Sequence, residues 1–287
     1  MAEILVKLNE MMASFAPSEQ KVARYISENL QNVLGLSVEE LANRSGASKA
    51  AVIRFCKTIG YKGYRDLSIQ LAAELALYQN DGSNEEYSDI NVGDDVETIL
   101  RSVSRHNVKA IEDTLLLCTD VDKIQRAVDL LEKAQRIDFY GVGASAIVAL
   151  DAQSKFMRIN KYATAYRESH LQLTSAVNLG ETGVAVAISW SGETKDVVEA
   201  AKLAKESGAS VIALTQYGTT TLSKYADIHF GLSAPEAAIR CGATSSRIAQ
   251  LTMIDMLYYC LVTQNYSKYK VYLERSRTEV KKKKRSL

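Results

Sequence analysis

Three hydroxyl side chains, Ser189, Ser191 and Thr194, follow an apolar run from Val184 to Ile188, with Gly192 among them. A helical pattern then opens at Lys195 and sets Val197, Val198, Ala201, Leu203 and Ala204 at apolar positions. Backbone N–H groups at a helix start are unpaired and the helix dipole is positive there, so hydroxyls at that point can hold a phosphate without a metal. The same residues also suit an ordinary capped helix after a strand, since serine and threonine are common caps. A second turn, Gly141-Val142-Gly143-Ala144-Ser145, lets backbone approach a ligand and places a serine at a helix start. It lacks the third glycine, and the acid about 20 residues on, that a dinucleotide site requires, so NAD is rejected.

Other polar candidates are Arg167, Glu168 and His170, and then Glu236, Arg240 and Arg247. A carboxylate and an imidazole beside a sugar phosphate can move a proton at a carbon next to a carbonyl. Alternatively they hydrogen-bond sugar hydroxyls or hold the loops. No second acid–base pair stands at a defined spacing, which favours binding over catalysis. His229 alternates inside a strand pattern and reads as structural, and Trp190 as packing at the turn or the pocket rim.

These groups need a scaffold, and residues 136–265 supply an alternation of strand and helix patterns. Strands are expected over Ile137–Tyr140, Ala163–Tyr166, Val184–Ile188, Val211–Leu214 and Asp227–Gly231. Helical stretches are expected over Ala144–Arg158, Gln172–Ala176, Lys195–Ser207, Leu222–Tyr225 and Ser245–Thr263. Such alternation implies a parallel sheet with helices on both faces and ligands at the carboxyl ends of the strands. Two hydroxyl-bearing helix starts at neighbouring strand ends would converge on one anion.

Residues 1–78 contain no convincing strand. Helices are expected over Ile4–Met12, Ser18–Asn29, Ser37–Arg44, Lys49–Thr58 and Tyr64–Leu77, with Ser18 capping after Pro17 and Ser37 with Glu40 forming a capping box. The turn Ser45-Gly46-Ala47 and a cap at Ser48 give a helix-turn-helix, with Ala42 and Ala47 allowing close crossing and Leu41, Val52, Ile53 and Phe55 supplying core. Residues 41–65 carry six bases (Arg44, Lys49, Arg54, Lys57, Lys62, Arg65) and no acid. That one-signed strip is a footprint for nucleic-acid phosphates. Ser48, Lys49, Ala50 and Arg54, with Arg44 and Lys57, are the candidates to meet base edges or backbone. The alternative is a small helical bundle with a solvated basic face.

Residues 79–95 hold six acids and no base and read as an acidic linker. Residues 96–135 read as lead-in helices, on which His106 is a surface or packing residue, and these helices could pack on the next domain or on a second subunit. Residues 266–287 end in Lys281-Lys282-Lys283-Lys284-Arg285 and read as a solvated, disordered basic tail. With 287 residues, 47% of them apolar and 24% charged, the chain is an ordinary soluble protein long enough for two domains, and a net charge of +1 points to no partner. Cys56, Cys118, Cys241 and Cys260 have no paired spacing, which argues against a zinc site and a disulfide framework. No apolar run reaches the roughly 18 residues of a membrane span, and the start lacks a signal peptide, so the expected location is cytoplasmic.

Both halves resemble known families. Residues 136–265 are similar to a sugar isomerase (SIS) domain through Gly141–Ser145, Ile188–Thr194 and Ala243–Leu251. Residues 1–77 resemble the helix-turn-helix of the RpiR family of bacterial transcriptional regulators, above all in Arg54-Phe55-Cys56-Lys57-Thr58-Ile59-Gly60-Tyr61. The resemblance implies an α/β fold, with an all-α helix-turn-helix domain before a three-layer αβα domain holding a five-stranded parallel sheet. It implies a homodimer or homotetramer, no cofactor and no metal, and operator DNA and a phosphosugar as partners. It puts the phosphosugar at Gly143, Ser145, Ser189, Ser191, Gly192 and Thr194, with His170 and Glu236 near the sugar. The function so implied is regulation of amino-sugar or other carbohydrate metabolism. The rival is a phosphosugar isomerase using Glu236 and His170.

Overall fold

The structure, a computed structural model, describes residues 3–12, 14–78, 93–234 and 242–285. The chain divides into two compact units, residues 1–88 and 89–287.

The first unit is helical: α1 (Glu3–Met11), α2 (Pro17–Glu28), α3 (Leu30–Val33), α4 (Val38–Ser45), α5 (Lys49–Thr58) and α6 (Tyr64–Tyr78). Pro17 occupies the first turn of α2, where its missing N–H costs nothing, and Glu19 accepts the Ala16 N–H at 3.3 Å. Ser18 therefore lies inside the helix instead of capping it. The capping box is present at α4: Ser37 N–H donates to Glu40 Oε2 at 2.7 Å and Glu40 N–H to Ser37 Oγ at 3.2 Å. Gly46, at φ 65°, ends α4 in the left-handed region, and Ser48 Oγ accepts the Ala51 N–H at 3.1 Å to start α5. Leu41, Val52, Phe55 and Cys56 are fully buried, and the Phe15 and Phe55 rings meet at 5.4 Å. Ile53, expected in that core, is 43% exposed. Successive helical residues are about 100° apart, so the turn that buries Val52 rotates Ile53 outward.

In the second unit, α7 (Val96–Leu117) and α8 (Val121–Lys133) precede β1 (Arg136–Gly141), α9 (Ala144–Arg158), β2 (Ala163–Ala165), α10 (Ser169–Val177) and β3 (Gly183–Ile188). Then come α11 (Lys195–Glu206), β4 (Ser210–Gln216), a single 3-10 turn at Leu222–Lys224, β5 (Ile228–Leu232), α12 (Ser245–Gln264) and α13 (Tyr266–Arg285). All five expected strands form, in the order β2-β1-β3-β4-β5, and every neighbouring pair is parallel. One face buries Phe139, Val186, Leu214 and Phe230 against α8, α9 and α12; the other buries Tyr140, Ala185, Ala187 and Ala213 against α10 and α11. Every residue of β3 is buried, which accounts for its unbroken apolar run.

Of the linker expected at 79–95, residues 79–92 lie outside the described residues. Asp95 caps α7, its Oδ1 accepting the Thr98 N–H at 2.7 Å. The disordered tail is corrected: α13 is docked at its start. Tyr269 is 1% exposed with its hydroxyl on Glu132, Lys268 Nζ reaches Glu132 at 2.6 Å, and Tyr272 and Leu273 pack on the core. Apolar residues at positions 269, 272 and 273 share one helical face, which a reading of charge alone overlooks.

Candidate functional site

Gly141 and Ile188 are register partners at the carboxyl ends of β1 and β3. After β1 the chain turns to α9 on one face of the sheet, and after β3 to α11 on the other. This is the switch point at which open parallel sheets bind ligands. Neither helix start has a side-chain cap. The first-turn N–H groups of α9 and α11 therefore flank one crevice, as an anion requires.

The side chains follow from the turns. A Cβ on Gly141 would fall 2.7 Å from the Ser145 carbonyl oxygen, so only glycine permits this close strand-to-helix turn. Gly143, at φ 61°, precedes α9, and Ser145 is buried with its hydroxyl 3.2 Å from Gln250 Nε2. Ser189 is 2% exposed and its hydroxyl lies 2.9 Å from Thr194 Oγ1. Thr194 thus engages Ser189 instead of capping α11. Ser191 is exposed, and its Oγ accepts the Glu193 N–H at 3.2 Å. Gly192 takes φ 68°, and a Cβ there would meet Thr220 at 2.4 Å.

Glu193 points away from chemistry. Its carboxylate accepts the Thr221 hydroxyl at 2.6 Å and the Thr221 N–H at 2.8 Å, and these bonds hold its pKa below the usual value. Glu168 acts likewise, capping α10 by accepting from His170 and Leu171 N–H, which lowers its pKa. Of the two readings open for Glu168, holding a loop is the one its bonds support. His170 is exposed on the first turn of α10, next to Ser169, whose hydroxyl donates to Asp196 Oδ2 at 2.7 Å on the first turn of α11. His170 therefore stands at the same end of the sheet as Ser189–Thr194. Arg167 is exposed, and Arg247 lies one turn before Gln250 on α12, whose amide meets Ser145. Glu236 and Arg240 lie outside the described residues.

Two residues of this region escaped the sequence reading. Gln172 is fully buried and donates to the Gly141 carbonyl at 2.9 Å and the Tyr166 carbonyl at 2.7 Å, joining the ends of β1 and β2. Gln250 braces Ser145 from 105 positions away. Neither carries a local signal. Trp190 is half-buried against the core, and its carbonyl accepts the Gln216 N–H at 2.7 Å. His229 is structural: its Nε2 lies 2.8 Å from Thr215 Oγ1, and burial pushes its pKa down to about 4. His106 is buried on α7. Among the described residues no group of His, Cys, Asp and Glu could hold a metal ion, and no helix is long and apolar enough to cross a membrane.

In the first unit the second site is a helical surface. Arg44, Ser48, Lys49, Ala50, Arg54 and Lys57 are all exposed. Lys49 pairs with Glu39 at 2.9 Å, an exposed pair and therefore a weak one that phosphates can displace, and exposed Arg54 lies 4.0 Å from the buried Glu19 carboxylate. Folding adds two bases that sequence position hid. Lys21 and Arg24 of α2 line a cleft of about 380 Å³ together with Arg44 and Ser45. Cys56 is inert, its thiol pushed up to about 12 by burial.

Residues 2–77 match the helix-turn-helix domain of the rpiR family, and residues 130–259 match the SIS domain. An uncharacterized HTH-type transcriptional regulator of Caldanaerobacter subterraneus is 46% identical over 96% of this chain and 95% of its own. The HTH-type transcriptional regulator HexR of Escherichia coli is 34% identical over 97% of this chain and 94% of its own. Among solved structures, the Vibrio vulnificus NanR protein complexed with ManNAc-6P superposes with a TM-score of 0.60 at 30% identity, covering 96% of this chain and 97% of that one. The chain belongs to the RpiR family of helix-turn-helix transcriptional regulators, with an SIS domain as its second part.

Proposed function

We propose that this regulator binds operator DNA through α4 and α5 and senses a phosphosugar in the crevice between β1 and β3. The observation that carries the effector half is the pairing of Gly141 with Ile188, which sets two uncapped helix starts and the buried hydroxyls of Ser145 and Ser189 around one space. The structural relative NanR was solved with an N-acylated hexosamine phosphate, which supports an amino-sugar phosphate as the class of ligand. In this reading residues 1–78 contact DNA and residues 136–265 hold the effector, with Gly143, Ser145, Ser189, Ser191, Gly192 and Thr194 on the phosphate. His170 and Glu236 face the sugar.

The site is for sensing and not for turnover. Glu168 and Glu193 use their carboxylates in capping and bracing bonds, which supports this. The working form is a cytoplasmic homo-oligomer. Its support is α7, which turns Ser102, His106 and Asp113 inward while Val96, Leu100 and Leu115 stay more than half exposed. A helix with an outward apolar face suits burial against a second copy.

Thermal denaturation of the full chain against a panel of sugar phosphates and their parent sugars tests this. At 100 times Kd a ligand stabilises by about 2.7 kcal/mol, so at least one phosphosugar raises Tm by several degrees while its dephosphorylated partner does nothing. Equal shifts with both, or steady conversion of the stabilising phosphosugar, contradict the reading.

A further inference from the structure

Ile53 is the large apolar residue of α5 that the core leaves exposed. It is 43% exposed on a helix whose Ala51, Val52, Phe55 and Cys56 are buried. Residues four apart lie above one another on a helix, so the exposed side of α5 consists of two rows. One row is Lys49, Ile53 and Lys57; the other is Ala50, Arg54 and Thr58, and all six are exposed. Ile53 is thus an apolar side chain with a lysine one turn away on each side. It borders a depression of about 700 Å³ shared with Val38, Tyr64, Asp66 and Ile69.

We propose that Ile53 reads sequence by packing on the C5-methyl group of thymine in the major groove of duplex DNA. This rests on the reading of α4 and α5 as the DNA-binding element. In the major groove, thymine alone among the four bases presents a methyl group, and an apolar side chain distinguishes it where a hydrogen-bonding one does not. Lys49 and Lys57 complement the phosphates on either side of a groove and would oppose like charges on a second copy of this surface. Glu39, paired with Lys49, and Asp66, which lines the depression, are set against five bases on this surface, Lys49, Arg54, Lys57, Lys62 and Arg65, so its charge favours duplex DNA. The bases hold the helix at the groove, and Ile53 contributes preference for an A·T pair.

The test uses the full chain and a duplex enriched from a random-sequence pool by the wild-type protein. Each thymine of the enriched site is replaced by uracil, which removes the methyl and keeps the pairing. At one or two positions this weakens wild-type binding by about fourfold, the value of one buried methyl. Ile53→Ala loses a similar factor on the thymine duplex and no longer distinguishes uracil, while Ile53→Val falls between. Circular dichroism confirms folding, which an exposed position leaves intact. The inference is overturned if no uracil substitution affects the wild type, or if Ile53→Ala remains as sensitive as the wild type. Failure of the pool to yield any preferred duplex overturns the DNA-binding reading beneath it.

Discussion

The hydroxyl oxygens of Ser189 and Thr194 lie 2.9 Å apart, one at the end of β3 and the other directly before α11. This bond occupies the Thr194 hydroxyl, so Thr194 stands at the N-cap without capping and the first N–H groups of α11 have no side-chain partner from it. An anion arriving there finds donors already oriented, so little ordering is needed on binding.

Replacing Ser189 and Ser191 together by alanine is expected to abolish the rise in Tm on adding the stabilising phosphosugar. The ligand-free protein loses about 1 kcal/mol through the Ser189–Thr194 bond. Differential scanning fluorimetry reads both effects, and a retained ligand shift in the double variant would remove these serines from the site.

Gly192→Ala tests the turn itself. The backbone there is left-handed, and an added Cβ would sit 2.4 Å from buried Thr220. The expected cost is about 1–3 kcal/mol in urea denaturation, with loss of phosphosugar binding by calorimetry. A variant of unchanged stability and affinity would show that the turn relaxes freely.

Lys49→Ala with Arg54→Ala removes two exposed cations from α5. DNA affinity is expected to fall, and the slope of log K against log salt to decrease by about 2 if both meet phosphates. The thermal shift with phosphosugar stays at the wild-type value. Normal DNA binding by the double variant would place the recognition surface elsewhere.

His229 predicts a pH dependence of stability. Burial holds its pKa at about 4 in the folded chain, against an ordinary imidazole value of 6.5. Its folded value is depressed, so its contribution is intact above pH 6.5 and is lost as pH falls toward 4, where the unfolded chain takes up the proton first. In urea titrations from pH 7 to pH 4, His229→Gln should reduce the wild-type slope by as much as about 1.4 kcal/mol per pH unit. An identical slope in both proteins would refute the assignment.

Much of this was legible in the sequence because it rests on local rules. Val184–Ile188 reads as a buried strand, Ser37 with Glu40 as a cap and Gly46 as a turn, and each is found so. What escaped depends on which distant residue lies opposite. Ile53 sits in an apolar stretch too dense to show its outward face until Val52 and Phe55 are seen buried. Lys21 and Arg24 reach Arg44 only through the packing of α2 on α4. Gln172 and Gln250 brace the ligand loops from other elements, and Glu132 anchors a helix that begins 134 positions later.

Coupling is expected between phosphosugar binding in the crevice and DNA binding at α4 and α5. Fluorescence anisotropy of an enriched duplex, titrated with the full chain with and without saturating phosphosugar, measures it most directly. Coupling of about 1–3 kcal/mol corresponds to a 5- to 150-fold change in affinity. We expect a change in that range for the wild type and none for Ser189→Ala/Ser191→Ala. Equal DNA affinity with and without the stabilising phosphosugar in the wild-type protein would contradict it.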